Sequence, residues 1–149
     1  TYLPLAGQWR LLAVILDRYS RRVLAWTLAR RRDAQLTCVV LNAAVRRRLP
    51  NAGLIFHSDR GSEYSAAAFR DRLARLGVRQ SSAVTGPGEN AHMESFFHSF
   101  KAEVVHGVHF ENDVQLRQAI RRYMRYYNYK RLHSALDYRT PVDYESGAT

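Results

Sequence analysis

Apolar positions in the first third of the chain change from a strand pattern to a helical one. Residues 11–16 (LLAVIL) form an unbroken apolar run whose length is typical of a buried strand. Turn-forming residues at 4–7 and 17–20 flank this run and would join it to further strands at 1–3 and 22–28. From residue 34 to 49, apolar residues recur three and four positions apart, which predicts a helix. The pattern therefore predicts an antiparallel three-strand meander followed by a helix.

The rest of the chain alternates between short apolar runs and helical stripes. Gly77 and a capping box at residues 112–115 mark helix boundaries, and residues 81–88 predict a mobile loop with its hinge at 86–88. Short strands are predicted at 54–56 and 78–80, and helices at 66–76, at 90–105 and from the capping box to about residue 129. No repeat or linker is visible, so the 149 residues form a single domain.

The charge balance narrows the range of partners. The chain has 23 Lys and Arg residues against 13 Asp and Glu, a formal net charge of +10, which favours a polyanion and above all nucleic acid. Cys38 is the only cysteine, so an internal disulfide is excluded and a reducing compartment fits. No stretch has the length of a membrane span, and no secretory signal opens the chain. We expect no membrane partner and a cytoplasmic location.

Two acidic residues stand in contexts that suit a divalent-metal site. Asp59 ends a short apolar run, and Gly61 would permit the tight turn that projects the acid. Glu94 lies about a quarter-turn from the apolar stripe of its helix, on a face with Asn90 and Lys101. Ordinary alternatives exist, because Asp often caps a turn and an exposed Glu often pairs with a nearby cation. The residues alone leave both interpretations open.

Four segments, taken in order, resemble the motifs of one family. They match D-x-[FY]-S-R-x-[IV]-x-x-W, H-S-D-x-G-x-x-Y, N-A-x-x-E-S-F-F-x-x-x-K-x-E and Y-N-x-x-R-x-H-x-x-L-x-x-x-[ST]-P. The segments are 16–26 (LDRYSRRVLAW), 57–64 (HSDRGSEY), 90–103 (NAHMESFFHSFKAE) and 127–141 (YNYKRLHSALDYRTP). The chain thus resembles, over essentially its whole length, the integrase core of bacterial transposases of the "insertion-sequence three" family. These are DDE enzymes related to retroviral integrases. The resemblance implies an α/β, ribonuclease H-like fold: a mixed five-stranded sheet, made of the meander plus two short strands, flanked by helices.

The resemblance assigns roles to the two acids and locates a third. Asp59 matches the second acid of the catalytic triad and Glu94 the third, and their oxygen ligands imply Mg²⁺ or Mn²⁺. The first acid of the family stands two residues before a T-Y pair that Thr1 and Tyr2 match. Asp17 matches a different position, where we expect it to cap a turn over Ser20 and Arg21. We therefore expect residues 1–149 to be a catalytic core whose first Asp and helix-turn-helix region lie upstream, and to be inactive alone.

The resemblance also implies the partners and the reaction. The expected partner is double-stranded DNA, as transposon ends and target, with cleavage that frees a 3′-hydroxyl followed by strand transfer. Self-association into a homo-oligomer and a place at the bacterial nucleoid are expected on the same basis. The residues expected to contact DNA are Asn90, His98, Lys101, Arg60 and Arg131. Glu63 departs from the family, which often has Gln there, and would add charge near Asp59.

Other interpretations remain for these motifs. A non-catalytic DNA-binding or assembly module derived from a transposase would keep the basic surface, although the retention of Asp59 and Glu94 argues against decay. A nuclease acting on RNA–DNA hybrids would share the fold, but the tail at 127–141 argues against it. Tyr123 and Tyr127 fall on the apolar stripe of the last long helix and are expected in the core rather than stacked on bases. His133 is expected to serve structure.

Overall fold

The chain begins with a three-stranded antiparallel sheet. The structure, a computed structural model, describes residues 1–83, 88 and 90–147. The strands are β1 (Tyr2–Leu5), β2 (Gln8–Leu16) and β3 (Val23–Ala29), with β2 in the middle. The turn between β1 and β2 holds Ala6 and Gly7 at φ values of 45° and 76°, the left-handed backbone that two-residue hairpins favour. The predicted meander is confirmed.

A helix and a strand–helix–strand unit follow the meander. Helix α1 (Ala34–Arg48) begins at Asp33, whose side chain accepts a hydrogen bond of 2.9 Å from the Leu36 N–H. Three arginines in its last turn complement the negative end of the helix dipole. The unit consists of β4 (Ile55–Ser58), α2 (Ser62–Ser65), α3 (Ala67–Arg75) and β5 (Arg79–Ser82). Strands β4 and β5 are parallel, as a helical crossover between them allows.

The last third of the described chain is helical. Helix α4 (Ala91–Phe100) continues as a π-helical turn (Lys101–Val105), and α5 (Asp113–Tyr129) follows it. Asn112 caps α5 by accepting a hydrogen bond of 3.0 Å from the Gln115 N–H, so the predicted cap is confirmed. The Gln115 side chain reaches back to the Glu111 N–H, one residue earlier than in a standard capping box. A 3₁₀ turn (Ser134–Leu136) and α6 (Pro141–Ser146) end the described chain.

Some predicted elements differ from the observed ones. The five predicted strands are present, but hydrogen bonds join the described strands into a three-stranded and a two-stranded sheet rather than one five-stranded sheet. The pairing of β1 with β2 extends no further along β2 than the Thr1–Leu12 pair. Among the described residues, no hydrogen-bonded strand therefore connects the second half of β2 to β4. Ser81 and Ser82, which were predicted to begin the mobile loop, belong to β5. Positions 84–87, which include most of the predicted hinge at 86–88, lie outside the described residues. Helices α2 and α6 are too short to show a helical period.

The core lies between the meander and helices α4 and α5. Phe96 and Phe100 from α4 are buried against Ile120, Tyr123 and Tyr127 from α5. The rings of Phe96 and Tyr127 meet edge to face, with centroids 4.9 Å apart, a favourable aromatic geometry. Burial of both tyrosines confirms their predicted place in the core. This packing fixes α4, and with it Glu94, relative to the sheet.

Candidate active site

A cleft of about 560 Å³ lies between β2 and β4 and contains the best candidate site. Residues of β2 and of the turn after it form one wall, and β4 with Asp59 forms another. The first residues of α4, His92 and Met93, line it from a third side. Further polar lining residues are Thr1, Arg32, Glu63 and Asn90. The chain therefore collects Asp59 and Asn90, two predicted site residues, around one concave surface.

Asp59 directly follows β4 and is exposed at the cleft. Its Oδ1 accepts a hydrogen bond of 2.9 Å from the Gly61 N–H, so the carboxylate caps its own turn as well as lining the cleft. Gly61 has an ordinary φ of −55°, which corrects the expected reason for a glycine. A Cβ there would lie 2.6 Å from both Arg32 Nη2 and Glu63 Oε2, so a larger residue would displace the ends of these two side chains.

Glu63 is a buried carboxylate beside Asp59. Its side chain is only 8% exposed, and its Oε1 accepts a hydrogen bond of 2.8 Å from Arg32 Nε. That bond raises the pKa of Arg32. Glu63 Oε2 is buried and has no hydrogen-bond partner among the residues the structure describes. The sequence had indicated only extra charge near Asp59; no pattern in it could show that this charge is buried and paired with Arg32.

The negative charges of Asp59 and Glu63 act on the phenol group of Tyr64. Burial raises the pKa of Tyr64 to about 12, and the negative charges of Asp59 and Glu63 add to the shift. The Arg32 charge acts in the opposite direction. Asp59 and Glu63 are therefore close enough to Tyr64 to act on it together, and this part of the cleft concentrates negative charge.

Glu94 lies in the first turn of α4 and is exposed. Its N–H donates a hydrogen bond of 3.0 Å to the Asn90 carbonyl, and an acid in this turn is favoured by the helix dipole. Its neighbour Met93 lines the cleft, whereas Glu94 is not among the described lining residues. Glu94 thus lies beside the cleft rather than inside it. Within the described ranges, no group of three His, Cys, Asp or Glu side chains is placed to hold a metal ion.

Charges from separate segments of the chain act on the amino group of Thr1. Burial lowers the pKa of the Thr1 amino group to about 6, and the positive charges of Lys101 and Arg32 lower it further. The charges of Asp59 and Glu63 act to raise it. Lys101 follows Glu94 by seven residues and begins the π-helical turn after α4. Asp59 and Lys101 are therefore both close enough to Thr1 to act on its amino group.

The other residues predicted to contact DNA differ in exposure and in the contacts that their side chains make within the chain. His98 is exposed one turn after Glu94. Arg60 is exposed, and its Nε donates a hydrogen bond of 2.7 Å to the Ala83 carbonyl. Arg131 is half-buried, forms an ion pair with Glu103 and donates to Ser99 Oγ at 3.3 Å. The guanidinium of Arg131 therefore joins the end of α5 to the segment after α4, and its predicted DNA contact remains a prediction.

Two residues of the matched motifs have structural roles. Asp17 Oδ1 accepts hydrogen bonds of 2.9 Å from the N–H groups of Tyr19 and Ser20, which confirms its turn-capping role. Asn128 is buried, and its side chain accepts from the Val23 N–H at 2.8 Å and donates to the Val23 carbonyl at 2.9 Å. Sequence reasoning missed this contact, because a polar residue within an apolar stripe does not identify its partner.

His133 packs inside the tail of the chain. Its ring lies edge to face on Tyr127, with centroids 4.8 Å apart. Burial lowers the pKa of His133, and the positive charges of Arg131 and Arg21 lower it further. A half-buried imidazole that is biased towards its neutral form suits the structural role predicted for it.

The architecture matches solved catalytic cores of retroviral integrases, which define the ribonuclease H-like class. The HTLV-2 integrase catalytic core domain in complex with magnesium (trimeric form) superposes with a TM-score of 0.72 at 15% identity, over 95% of this chain and 88% of that chain. The BIV integrase catalytic core gives a TM-score of 0.71 at 15% identity, over 99% and 91%. The predicted fold class is therefore confirmed.

Sequence comparison identifies the family. Two integrase core domain models match residues 1–87 and 94–148, and the chain belongs to the integrase core domain family. The transposase for insertion sequence element IS904 of Lactococcus lactis is 37% identical over 97% of this chain and 58% of its own length. Transposase InsF for insertion sequence IS3A of Escherichia coli is 38% identical, over 98% and 51%. The chain thus spans about half the length of these curated relatives.

None of the helices in the described part of the chain is long and apolar enough to cross a membrane.

Proposed function

We propose that this chain is the catalytic core of a DNA transposase that cleaves phosphodiester bonds at transposon ends and joins the ends to target DNA. The observation that carries the proposal is the cleft that Asp59 shares with Asn90, His92 and Met93 at the start of α4, the helix that bears Glu94. Membership of the integrase core family, together with curated relatives that are transposases, supports this function. The same matches do not favour a non-catalytic module.

Asp59 in the cleft and Glu94 beside it carry the kind of donor atom that binds a divalent cation. Carboxylate oxygens of Asp59 and Glu94 are hard ligands of the kind that Mg²⁺ and Mn²⁺ prefer. We propose that these two side chains hold the metal, and a similar integrase core has been solved in complex with magnesium. When bound, the metal supplies charge stabilisation to the oxygens of the phosphate that reacts. The remaining functions fall to the chain itself, which must bind the DNA and align the attacking oxygen.

Three residues near Glu94 are suited to bind the DNA backbone. His98 is exposed one turn after Glu94, Lys101 begins the π-helical turn that follows α4, and Asn90 lines the cleft at the start of the helix. A cation and a histidine beside the acid would hold a phosphate close to it, and the net charge of +10 would attract the duplex. Arg60 lies next to Asp59 and adds a second contact of the same kind. We assign Arg131 a smaller share, because Glu103 already pairs with it.

A third carboxylate is proposed two residues before Thr1 in a longer protein. Thr1 N already lies within the influence of Asp59 and Lys101, so a residue at that position would enter the same region. Residues 1–149 alone would then carry two acids of three, bind metal weakly and leave DNA intact. We propose further that the whole protein acts as a homo-oligomer on two DNA ends at the bacterial nucleoid. Integrases of similar fold have been solved in dimeric and trimeric forms and in an intasome.

Metal titration and a DNA nicking assay test this function. Residues 1–149 are compared with a version extended before Thr1 by TVTVDV, which places Asp two residues upstream, and with the matched extension TVTVNV. We expect Mg²⁺-dependent nicking of a transposon-end duplex only with TVTVDV. Within that version, Asp59→Asn and Glu94→Gln should each lower the rate by at least about 10²-fold. Asp71→Asn, an exposed acid on α3, serves as the control and should leave the rate unchanged.

Two results would contradict the proposal. Efficient Mg²⁺-dependent nicking by residues 1–149 would show that two acids suffice and that the upstream carboxylate has no essential role. Nicking that survives both Asp59→Asn and Glu94→Gln would remove the two residues from the reaction altogether.

A further inference from the structure

The outward side of helix α5 carries arginines that the core does not require. The buried residues of α5 lie on one side of the helix, and Arg121, Arg122 and Arg125 lie on the other side, where all three are exposed. At about 100° per residue, the three arginines fall within an arc of about 100°. The helix therefore presents one basic surface to solvent, which we call the α5 stripe.

The α5 stripe has no acidic residue to balance it. Residues 114–136 include six Lys and Arg residues and no Asp or Glu. Within the ranges that the structure describes, none of the three arginines forms an ion pair or a side-chain hydrogen bond. Their guanidinium groups are therefore available to a negatively charged partner.

The stability of the helix does not explain this arrangement. Arg121 and Arg125 are four residues apart, and Arg122 and Arg125 are three apart, so each pair places like charges side by side on the helix surface and destabilises it. Arginine complements the helix dipole only in the last turn, and the last turn of α5 contains no basic residue. A bound anion would offset the repulsion within the stripe.

The α5 stripe and the cleft lie on opposite sides of the meander. Arg117 donates to the Leu28 carbonyl at 3.0 Å, and the Asn128 side chain pairs with Val23, so α5 runs along the outer edge of β3. The cleft lies on the other side of β2, and none of its described lining residues belongs to α5. A ligand bound to the stripe is therefore separate from one bound beside Asp59.

We propose that the α5 stripe binds the phosphate backbone of duplex DNA, as a second DNA contact that is separate from the cleft. Guanidinium groups pair with phosphate through two parallel hydrogen bonds. Arg121 and Arg125 are about 6 Å apart along the helix axis, a distance over which one strand of a duplex presents about two phosphates. Tyr126 and Tyr129, which are 44% and 46% exposed, add hydroxyl groups that can bond phosphate oxygens. The choice of DNA among polyanions rests on the proposed function, whereas the binding of phosphate follows from the stripe itself.

Charge argues against a second copy of this chain as the occupant. A two-fold contact through the α5 stripe would place its arginines against the same arginines of the copy, and like charges across an interface are unfavourable. The other faces of a copy offer little free negative charge, because many carboxylates already form ion pairs with the chain's own arginines. These carboxylates are those of Asp17, Glu63, Glu103, Asp113, Asp137 and Glu145.

Fluorescence anisotropy with a labelled duplex of random sequence and about 20 base pairs tests the α5 stripe. Binding by residues 1–149 is measured in EDTA between about 50 and 200 mM NaCl, the range over which phosphate contacts change affinity steeply. The test variant combines Arg121→Gln, Arg122→Gln and Arg125→Gln. The control variant loses the same charge from three exposed arginines of α1 and α3, namely Arg46→Gln, Arg70→Gln and Arg75→Gln.

The test variant should bind at least about tenfold more weakly at about 100 mM NaCl, and the control variant should change affinity by less than about threefold. The slope of log affinity against log salt should become shallower by about 2 to 3 in the test variant, because each lost phosphate contact removes about 0.9. A third variant with lysine at the three α5 positions keeps the charge and should restore most of the affinity.

The outcomes separate the α5 stripe from the proposed reaction. Equal weakening in the test and control variants would overturn the stripe, because net charge alone would then explain binding. A lysine variant that binds no better than the glutamine variant would overturn it as a charge contact. An oligomer that forms without DNA and dissociates in the glutamine variant would also overturn it, because a second copy would then be the occupant. Loss of binding in the test variant alone supports the stripe even if no version of the chain nicks DNA, in which case the proposed function fails by itself.

Discussion

The two edges of the three-stranded sheet differ in whether their backbone groups have hydrogen-bond partners. At the outer edge of β3, the Asn128 side chain pairs with both the N–H and the carbonyl of Val23 and substitutes for a neighbouring strand. At the other edge, Val14 and Leu16 of β2 face a cleft and have no ladder partner in the described part of the chain. Only the second edge lies beside Asp59. A closed edge therefore stabilises this fold, and an open one borders the candidate site.

The charged groups show the same division. Away from the cleft, Arg10 and Asp113 form a two-bond ion pair, with distances of 2.7 and 2.9 Å, that ties β2 to α5. On the open side, Glu63 is paired through one oxygen only, and its other oxygen is buried without a partner among the described residues. Buried polar atoms without a partner are uncommon in folded proteins.

The largest expected effect is a loss of stability when the Asn128 side chain, which pairs with the edge of β3, is removed. Asn128→Ala would leave the buried N–H and carbonyl of Val23 without partners, and we expect a loss of about 2–4 kcal/mol in the free energy of unfolding. Urea denaturation followed by circular dichroism measures this loss. Gln118→Ala, at an exposed position of the same helix, should change stability by less than about 0.5 kcal/mol. Equal effects of the two substitutions would show that Asn128 does not close the edge.

A smaller effect is expected from the Arg10–Asp113 pair, and it should depend on pH. The hydrogen bonds from Arg10 are the main cause that lowers the pKa of Asp113. A lowered carboxyl pKa stabilises the fold at pH values above the ordinary Asp range, and this contribution disappears as the pH falls through the lowered pKa. Asp113→Asn should therefore lower the urea midpoint at pH 7 and have progressively less effect towards pH 2.5. A difference that is constant across this range would contradict the ion-pair account.

The smallest effect concerns the open edge itself. Glu63→Gln removes a negative charge that raises the pKa of Tyr64, so that pKa should fall slightly from about 12, while burial keeps it above the ordinary value. A tyrosine-detected NMR titration of Tyr64 measures the shift. Glu111→Gln, an exposed acid outside the cleft, should leave the Tyr64 pKa unchanged. An unchanged pKa in Glu63→Gln would show that Glu63 does not contribute to the field at this edge.

Local patterns predicted most of the elements correctly. The apolar run 11–16 lies in β2, the stripe from residue 34 is α1, and the cap at Asn112 starts α5. Periodicity and capping act over a few residues, so the sequence displays them directly. Short helices such as α2, with four residues, are set by tertiary contacts and have no such signature. Their absence from the predictions follows from that physical difference.

The candidate site was predicted less completely than the fold. Motif resemblance selected Asp59 and Glu94, and the structure places one in the cleft and the other beside it. The motifs did not indicate that Arg131 is paired with Glu103, nor that the side chains of Arg32 and Glu63 approach Gly61. These facts depend on residues about 30 positions apart in the chain, and no local spacing encodes such contacts.

The sequence by itself determined the alternation of strands and helices, the basic charge and the family to which the chain belongs. These properties reside in local periodicity, in composition and in short motifs. Only the tertiary structure decided which sheet edge is closed by Asn128 and which is left open between β2 and β4. Edge pairing depends on where distant backbone groups meet in space, and that is fixed when α4 and α5 pack on the meander. Asp59 therefore lies at the open edge, and Glu94 beside the cleft, for a reason that the sequence does not display.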